Sequence, residues 1–211
     1  MLDPAWRIWT YSVPPPCPGG WNVPTSYSLT DHPGYLRFYL GTRTDLRNAC
    51  DYGDYASMHL YREIEGTTWT LETYVAYHAP YGGNAPNHVT YLYFGDLEQF
   101  APTKIWESSL IIYTNVWDGW HRVYLIENGG WTVLANLPIY HGHDAFYYRF
   151  TRSGNDFALE WSRDGITYAP EIPWTLSPGT ASLSQAFGIS GRAWGSDPAI
   201  HHAEYDYVRV T

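Results

Sequence analysis

Two neighbouring segments in the second half of the chain alternate apolar and polar residues at every second position. They cover residues 146–151 and 157–162; a Ser-Gly-Asn sequence at 153–155 joins them, and an Asp-Gly pair at 164–165 follows the second. A period of two is the repeat of a β-strand with one buried face, and short turns of this composition connect antiparallel strands. The two segments therefore predict a β-hairpin. Its predicted core residues are Phe146, Tyr148, Phe150, Phe157, Leu159 and Trp161.

Similar short segments recur along the whole chain, and Pro and Gly separate them. Further strands are predicted at 6–11, 35–40, 57–62, 69–78, 88–94, 108–116, 122–127, 132–137, 186–190 and 204–210. No segment of helical length keeps an apolar period of about 3.6 residues, and no change of composition marks a linker. The sequence predicts an all-β protein, in which residues 1–211 form one domain with a two-sheet antiparallel β-sandwich or jelly roll.

The charge of the chain limits its partners. The net charge is −9, and Lys104 is the one lysine. Nucleic acids and anionic membranes both attract a basic surface, so this balance argues against either partner. A neutral partner such as a polysaccharide fits best. Aromatic residues make up 18% of the chain, which is too many for all of them to lie in the core.

The sequence also bears on location. No stretch approaches the roughly 20 apolar residues of a membrane-spanning helix. The first residues lack the basic region and apolar segment of a signal peptide. A cytoplasmic protein and a secreted module of a longer precursor both remain open, and the composition favours the secreted, extracellular module.

The two cysteines, Cys17 and Cys50, lie in turn-rich segments. A disulfide between them would contribute about 3–4 kcal/mol on the chain-entropy estimate. Two unpaired, buried thiols are the alternative, and the sequence leaves both open.

Strand register predicts a mixed aromatic and charged sheet face. In 69–78, alternate residues starting at Trp69 share the core face, so the residues between them share the other. Such a face suits sugar binding, because flat rings stack on the C–H face of a pyranose and planar polar groups bind its hydroxyls. The alternative is an arginine–carboxylate network that only solvates the sheet. The predicted residues, on a concave outer face, are Glu72, Tyr74, Tyr147, Arg149 and Glu160.

Three tryptophans next to glycine-containing turns are further candidates for sugar contact. Trp117 and Trp120 flank an Asp-Gly pair, and Trp194 precedes a glycine. Turns lie at the surface, which favours exposed rings at these positions. Alternatively, the rings fold back and cover the core.

Five short motifs, in order along the chain, resemble the C-terminal β-sandwich module of family 43 glycoside hydrolases. Residues 2–6 (Leu-Asp-Pro-Ala-Trp) resemble its Leu-Asp-Pro-x-Trp opening, and 33–38 (Pro-Gly-Tyr-Leu-Arg-Phe) resemble its Pro-Gly-x-Leu-Arg-Leu strand. Residues 148–154, 161–165 and 203–210 are similar to its Leu-Arg-Ile-x-Arg-x-Gly segment, its Tyr-Ser-x-Asp-Gly turn and its Ala-x-Phe-Asp-Tyr-Val-Arg-Val closing strand. Similar short motifs occur in laminin-G-like and concanavalin A-like sandwiches. The resemblance implies a two-sheet jelly roll that binds plant-type polysaccharide, often xylan, beside a catalytic domain.

The same resemblance implies a structural Ca²⁺. In concanavalin-like glucanases, the aspartate of the closing strand binds the ion together with an acidic residue near the N-terminus. Asp206 matches the first position, and Asp3 is the candidate for the second. The alternative is that Asp206 hydrogen-bonds the backbone at a strand bulge.

Catalytic signatures are absent from the sequence. Sandwich glucanases carry Glu-x-Asp-x-x-Glu on one strand, and this chain has no such motif. Glycosidases need two carboxyls about 5–10 Å apart, and Glu72 and Glu160 remain a possible pair. The sequence therefore predicts a non-catalytic carbohydrate-binding module for a neutral polysaccharide, xylan or another β-glycan. A small hydrolase or lyase on the same sandwich and an adhesive protein-interaction module are the alternatives.

Overall fold

The computed structural model describes residues 5–10, 26–39, 41–43, 58–78, 88–96, 110–117, 120–127, 130–138, 143–176, 185–194 and 202–211. Asp3, Cys17 and Cys50 lie outside these ranges, so the predictions made for them stay predictions. Among the described residues, no helix has the length and apolar character to cross a membrane.

The described residues form strands that are joined almost entirely in antiparallel pairs. The strands are Arg7–Thr10 (β1), Ser26–Ser28 (β2), Leu36–Tyr39 (β3), Gly41–Arg43 (β4), Met58–Ile64 (β5), Thr68–His78 (β6), His88–Asp96 (β7), Leu110–Trp117 (β8), Trp120–Glu127 (β9), Gly130–Pro138 (β10), His143–Ser153 (β11), Asp156–Ser162 (β12), Ile172–Thr175 (β13), Gln185–Trp194 (β14) and His202–Val210 (β15).

These strands make two sheets. The eight-stranded sheet has the order β1-β5-β14-β7-β8-β9-β10, with β4 paired to β14 in parallel. The seven-stranded sheet has the order β13-β12-β11-β6-β15-β3-β2. The predicted two-sheet antiparallel β-sandwich is confirmed, with the β4–β14 pair as a parallel exception.

Three short strands were not predicted: β2, β4 and β13. Each has three or four residues, which is too short to show an alternation. Pro173 in β13 also reads as a turn signal. Proline is tolerated there because β13 is the edge strand of its sheet, where one row of backbone N–H groups has no ladder partner.

The core lies between the sheets and contains the residues that the alternation of apolar and polar positions predicted. Trp69, Leu71, Thr73 and Val75 of β6 are all buried. In β11 and β12, five of the six predicted core residues are buried, and Trp161 is partly buried with its ring edge-on to Phe146. The other sheet contributes Leu60, Ile64, Val123, Phe187 and Ile189. Burial of each such apolar side chain contributes about 1.5–3 kcal/mol, so this core fixes which face of each strand points outward.

The closing strand β15 contains a bulge that changes this alternation. Its pairing with β6 shifts between Tyr205 and Val208, so that Asp206 and Tyr207 together stand opposite one residue. The buried hydroxyl of Thr73 donates a hydrogen bond of 2.7 Å to the Tyr207 carbonyl and holds the bulge in place. Tyr205 points into the core before the bulge, and Val208 packs against the core after it. Tyr207 and Arg209 therefore lie on the outer face, where strict alternation from Tyr205 would have put them inside.

Candidate functional site

Three adjacent strands of the seven-stranded sheet carry a row of alternating charges on the outer face. Arg149 of β11 stands directly opposite Glu72 of β6 on one side and Glu160 of β12 on the other. Its Nε donates to Glu72 Oε1 at 2.9 Å, and its Nη1 donates to Glu160 Oε2 at 3.2 Å. Arg209 of β15 extends the row, with its Nη1 3.7 Å from Glu72 Oε2. The sequence thus placed the three central members correctly.

The guanidinium of Arg149 is enclosed by these partners. The hydrogen bond with Glu72 raises the pKa of Arg149, partial burial opposes this, and the bond with Glu160 adds to it. The ring of Tyr168 lies against the guanidinium, with 4.1 Å between Arg149 Cζ and the ring centroid. This is a cation–π geometry. Arg149 is therefore a fixed centre between two carboxylates and a ring, with a side chain 32% exposed.

A pair of tyrosines lies beside this row. Tyr74 and Tyr147 are cross-strand partners on β6 and β11, one step from Glu72 and Arg149. Their ring centroids are 4.8 Å apart and their planes are inclined by 54°. Both rings are partly exposed. Together they offer apolar ring surface next to groups that bind hydroxyls, which is the combination a sugar site needs.

The loop that follows β12 forms a wall of this site. Ser162 Oγ accepts the N–H of Gly165 at 3.0 Å, and Asp164 Oδ1 accepts the N–H groups of Ile166 and Thr167 at 2.8 and 2.7 Å. The backbone bonds from Thr167 and Ile166, with the bond from Ser162, lower the pKa of Asp164 to about 2. A bridge between Ser162 and Tyr168 closes the loop. This turn is what brings Tyr168 against Arg149.

Gly165 brings the same loop against Tyr147. Its φ is +72°, and a Cβ built at this position would lie 3.1 Å from two carbons of the Tyr147 ring. A side chain therefore does not fit without moving the ring. The loop residues 163–167, which we call the Asp164 loop, thus define the position of the Tyr147 ring.

The sequence missed several members of this face. Tyr168 follows a loop whose path is set by hydrogen bonds, and Tyr207 and Arg209 were hidden by the bulge in β15. Arg209 Cζ lies 5.5 Å from the centroid of the Tyr207 ring. A cation–aromatic pair at alternate positions of the closing strand was the one signal available in the sequence. We call the whole set the outer-face cluster: Glu72, Tyr74, Tyr147, Arg149, Glu160, Tyr168, Tyr207 and Arg209.

Three phenols of this cluster have a raised pKa. Burial raises the pKa of Tyr74, Tyr168 and Tyr207; nearby tyrosines and carboxylates add to the effect, while the arginines next to Tyr168 and Tyr207 oppose it. A neutral phenol can both donate and accept a hydrogen bond. The cluster therefore presents hydroxyl-binding groups of both kinds around the ring surface.

The predicted tryptophans belong to the other sheet. Trp117 ends β8 and Trp120 begins β9, and they face each other across a two-residue hairpin connection. Trp194 ends β14 and pairs with Arg43. The eight-stranded sheet holds all three backbones, so the structure does not gather them onto the face that carries Glu72 and Arg149. Their side chains are not described, and their contact with a ligand stays a prediction.

The structure describes one of the two predicted calcium ligands. Asp206 is exposed and lies in the β15 bulge, whereas Asp3 is outside the described residues. Within the described part of the chain, no group of three or more His, Cys, Asp or Glu residues is arranged to hold a metal ion. Asp206 does line a cavity of about 290 Å³ next to the bulge.

Comparisons with known proteins support the fold. No protein-family model and no curated protein matches the chain. A xylan β-1,4-xylosidase from Bacillus halodurans C-125 is similar in structure, with 15% identity and a TM-score of 0.55 over 88% of this chain and 34% of its own. A bifunctional GH43-CE protein from Bacteroides eggerthii has 14% identity and a TM-score of 0.57 over 100% of this chain and 25% of its own. An alginate lyase from Pseudomonas aeruginosa has 14% identity and a TM-score of 0.55 over 88% and 85%.

At these identities the likeness shows the fold alone. The chain has the β-sandwich that is found in these carbohydrate-active proteins. It spans about a third of the xylosidase and a quarter of the bifunctional protein.

Proposed function

We propose that the protein is a non-catalytic carbohydrate-binding module whose outer-face cluster binds a neutral polysaccharide, xylan or another β-glycan. The observation that carries this proposal is the tyrosine pair beside the charged row. Tyr74 and Tyr147 offer ring surface to a pyranose, while Glu72, Arg149 and Glu160 are fixed planar groups that can bind its hydroxyls.

The pairing of charges favours a neutral ligand. Arg149 is satisfied by two carboxylates, and the more exposed Arg209 approaches one of them. The cluster thus combines two arginines with two glutamates and has no charge in excess. A uronate would need a cation that is free to pair with it, so an anionic polysaccharide fits this face poorly.

The same pairing speaks against catalysis. A glycosidase needs one carboxyl that carries a proton and can give it to the leaving group. Glu72 and Glu160 instead both accept hydrogen bonds from the guanidinium of Arg149, at 2.9 and 3.2 Å, so both carboxylates are already engaged as acceptors. If the protein is nevertheless a hydrolase or lyase on this sandwich, new reducing ends will appear with a polysaccharide substrate. Loss of that turnover in Glu72→Gln or Glu160→Gln would then identify the catalytic carboxyls.

An adhesive role that depends on another protein has less support. Among the described residues, the large exposed apolar side chains are Ile8, Val133 and Ile166, on three separate elements. A large contiguous apolar patch would mark such an interface. Scattered residues do not form one.

The context of the module is part of the proposal. We expect a secreted, extracellular protein in which this domain accompanies a catalytic glycoside hydrolase domain in a longer precursor. The longer precursor is supported by the small share of the two glycosidase-related structures that this chain spans.

A structural Ca²⁺ is proposed separately, with Asp206 and Asp3 as ligands. Calcium takes six to eight oxygen ligands, and the described residues of the β15 bulge supply one carboxylate, Asp206. They are too few to hold the ion by themselves, so the site depends on Asp3 and on backbone carbonyls. A chelator should lower the melting temperature if the site exists. An unchanged melting temperature would remove calcium from the account.

Native affinity electrophoresis tests the proposed function. The protein is run in gels that contain xylan, β-glucan, mannan or fructan, with and without calcium, beside Tyr147→Ala. We expect one polymer to retard the wild type, and the variant to migrate as it does in a gel without polymer. Equal migration of the wild type in all gels would contradict the proposal and favour a protein partner.

A further inference from the structure

A cavity opens beside the outer-face cluster where two strands separate. The pairing of β3 with β15 ends at Leu36 and Tyr205. Directly beyond this pair, β15 enters its bulge at Asp206 and Tyr207, while the chain before β3 turns away. The cavity between these two segments has a volume of about 290 Å³. This is just below the range of about 300–1,000 Å³ typical of drug-sized ligands, so it suits one small unit.

The lining of this cavity combines ring surface with one acidic group. Trp6, Tyr35 and Tyr207 supply aromatic surface, and Asp206 is the carboxylate among the described residues of the lining. Leu36 and Val208 contribute apolar surface. A carboxylate accepts hydrogen bonds from hydroxyls, and rings cover the apolar face of a sugar. The cavity therefore matches the chemistry of a single monosaccharide.

An ion pair around the buried Glu204 lies next to one wall of the cavity. Glu204 is 4% exposed and accepts hydrogen bonds from Arg37, from Nε at 2.8 Å and Nη2 at 2.6 Å. His32 Nδ1 lies 2.9 Å from the other carboxylate oxygen, and the His32 ring stacks on Tyr35 with centroids 4.2 Å apart. This chain of contacts fixes Tyr35 in the turn. The cavity is thus formed by held side chains, which is what a selective site requires.

The cavity shares one residue with the outer-face cluster. Tyr207 belongs to both, because it lines the cavity and its ring lies under Arg209. Arg209 in turn approaches Glu72, which binds Arg149. A glycan that lies across the cluster would therefore pass the mouth of the cavity.

We infer that this cavity receives a single-residue side branch of the polysaccharide whose main chain lies on the outer-face cluster. The inference rests on the proposed function and narrows it: the ligand class is a neutral glycan substituted with monosaccharide branches. Asp206 binds hydroxyls of the branch, and Tyr35 and Tyr207 contact its ring.

Titration calorimetry with matched oligosaccharides tests this inference. One pair of probes is a linear xylo-oligosaccharide and the same oligosaccharide with an arabinofuranosyl branch. A second pair is a linear manno-oligosaccharide and its galactosyl-branched form. The variants are Asp206→Ala, which removes the carboxylate, and Leu29→Trp, which fills the cavity from its lining. Glu171→Ala, an exposed carboxylate just before β13, is the matched control.

We expect the wild type to bind the branched member of one pair about tenfold more tightly, the ratio typical of one hydrogen bond to a charged group. Both cavity variants should lose this preference and keep their affinity for the linear probe, while Glu171→Ala keeps the preference. Equal affinities for linear and branched probes would overturn the inference and leave the proposed function standing. A preference that survives in both variants would also overturn it. If none of the four probes binds, this inference fails, while the proposed function is decided by the electrophoresis, which also includes β-glucan and fructan. If a chelator removes the preference, the role of Asp206 is to hold calcium, and direct hydroxyl binding is refuted.

Discussion

Replacing Gly165 with alanine tests how much the position of the Tyr147 ring contributes to ligand affinity. At a φ of +72°, an alanine costs roughly 1–2 kcal/mol for its backbone conformation. Its Cβ would also lie 3.1 Å from the ring carbons, so the ring must move. A shift of about 30° from a rotamer costs about 0.5–1.5 kcal/mol. A ligand would have to push the Tyr147 ring back against the new methyl group. The cost of displacing the ring should therefore reduce the affinity for the ligand about two- to tenfold.

Gly154→Ala is the matched control for this change. Gly154 has a φ of +64°, but nothing lies within 4 Å of a Cβ built there. Gly154→Ala should therefore lose the same backbone conformational energy, while its new methyl group contacts no residue of the site. For a chain of this length, 1–2 kcal/mol lowers the melting temperature by about 2–8 °C. We expect calorimetry with the retained polysaccharide to give wild-type affinity for Gly154→Ala and weaker binding for Gly165→Ala. Equal affinities in the two variants would refute the role of the Asp164 loop in placing Tyr147.

Two further predictions concern the charged groups. Arg149→Ala removes the cation between Glu72 and Glu160, which lie on the two strands that flank β11, so urea denaturation should show a loss of about 1–3 kcal/mol in the free energy of unfolding. Arg209→Ala, whose side chain is 65% exposed, should cost less than about 1 kcal/mol, and an equal loss in both variants would contradict this account. The lowered pKa of Asp164 means that its carboxylate stabilises the fold above its ordinary value of 3.8, and that this stabilisation is lost as the pH falls towards about 2. Asp164→Asn should therefore flatten the dependence of the melting temperature on pH between 3.8 and about 2. An unaltered pH profile would show that the Asp164 loop does not cause this dependence.

The alternation of residues was sufficient to predict most of the outer face. Glu72, Tyr74, Tyr147, Arg149 and Glu160 lie together because the large apolar residues of β6, β11 and β12 alternate with them and are buried on the core face, which leaves no choice of register. The sequence therefore predicted which of these side chains share a face, although it left open whether they form a network or a binding site.

The rest of the site depended on irregular backbone. The bulge in β15 reverses the faces of Tyr207 and Arg209, and one inserted residue leaves no trace in the alternation. Tyr168 reaches Arg149 through a loop whose path follows from hydrogen bonds to Ser162 and Asp164. The position of the Trp117–Trp120 hairpin in the other sheet follows from the order of the strands, which local sequence does not encode.

The most direct test of the central claim is an NMR titration of the labelled protein with an oligosaccharide of the polymer that retards it in electrophoresis. Binding at the outer-face cluster predicts that the largest shifts fall on the backbone and ring signals of Tyr74, Tyr147, Tyr168 and Tyr207, and that Tyr147→Ala abolishes them. Shifts confined to the strands of the eight-stranded sheet, around Trp117 and Trp120, would contradict the claim and move the site to the opposite side of the sandwich.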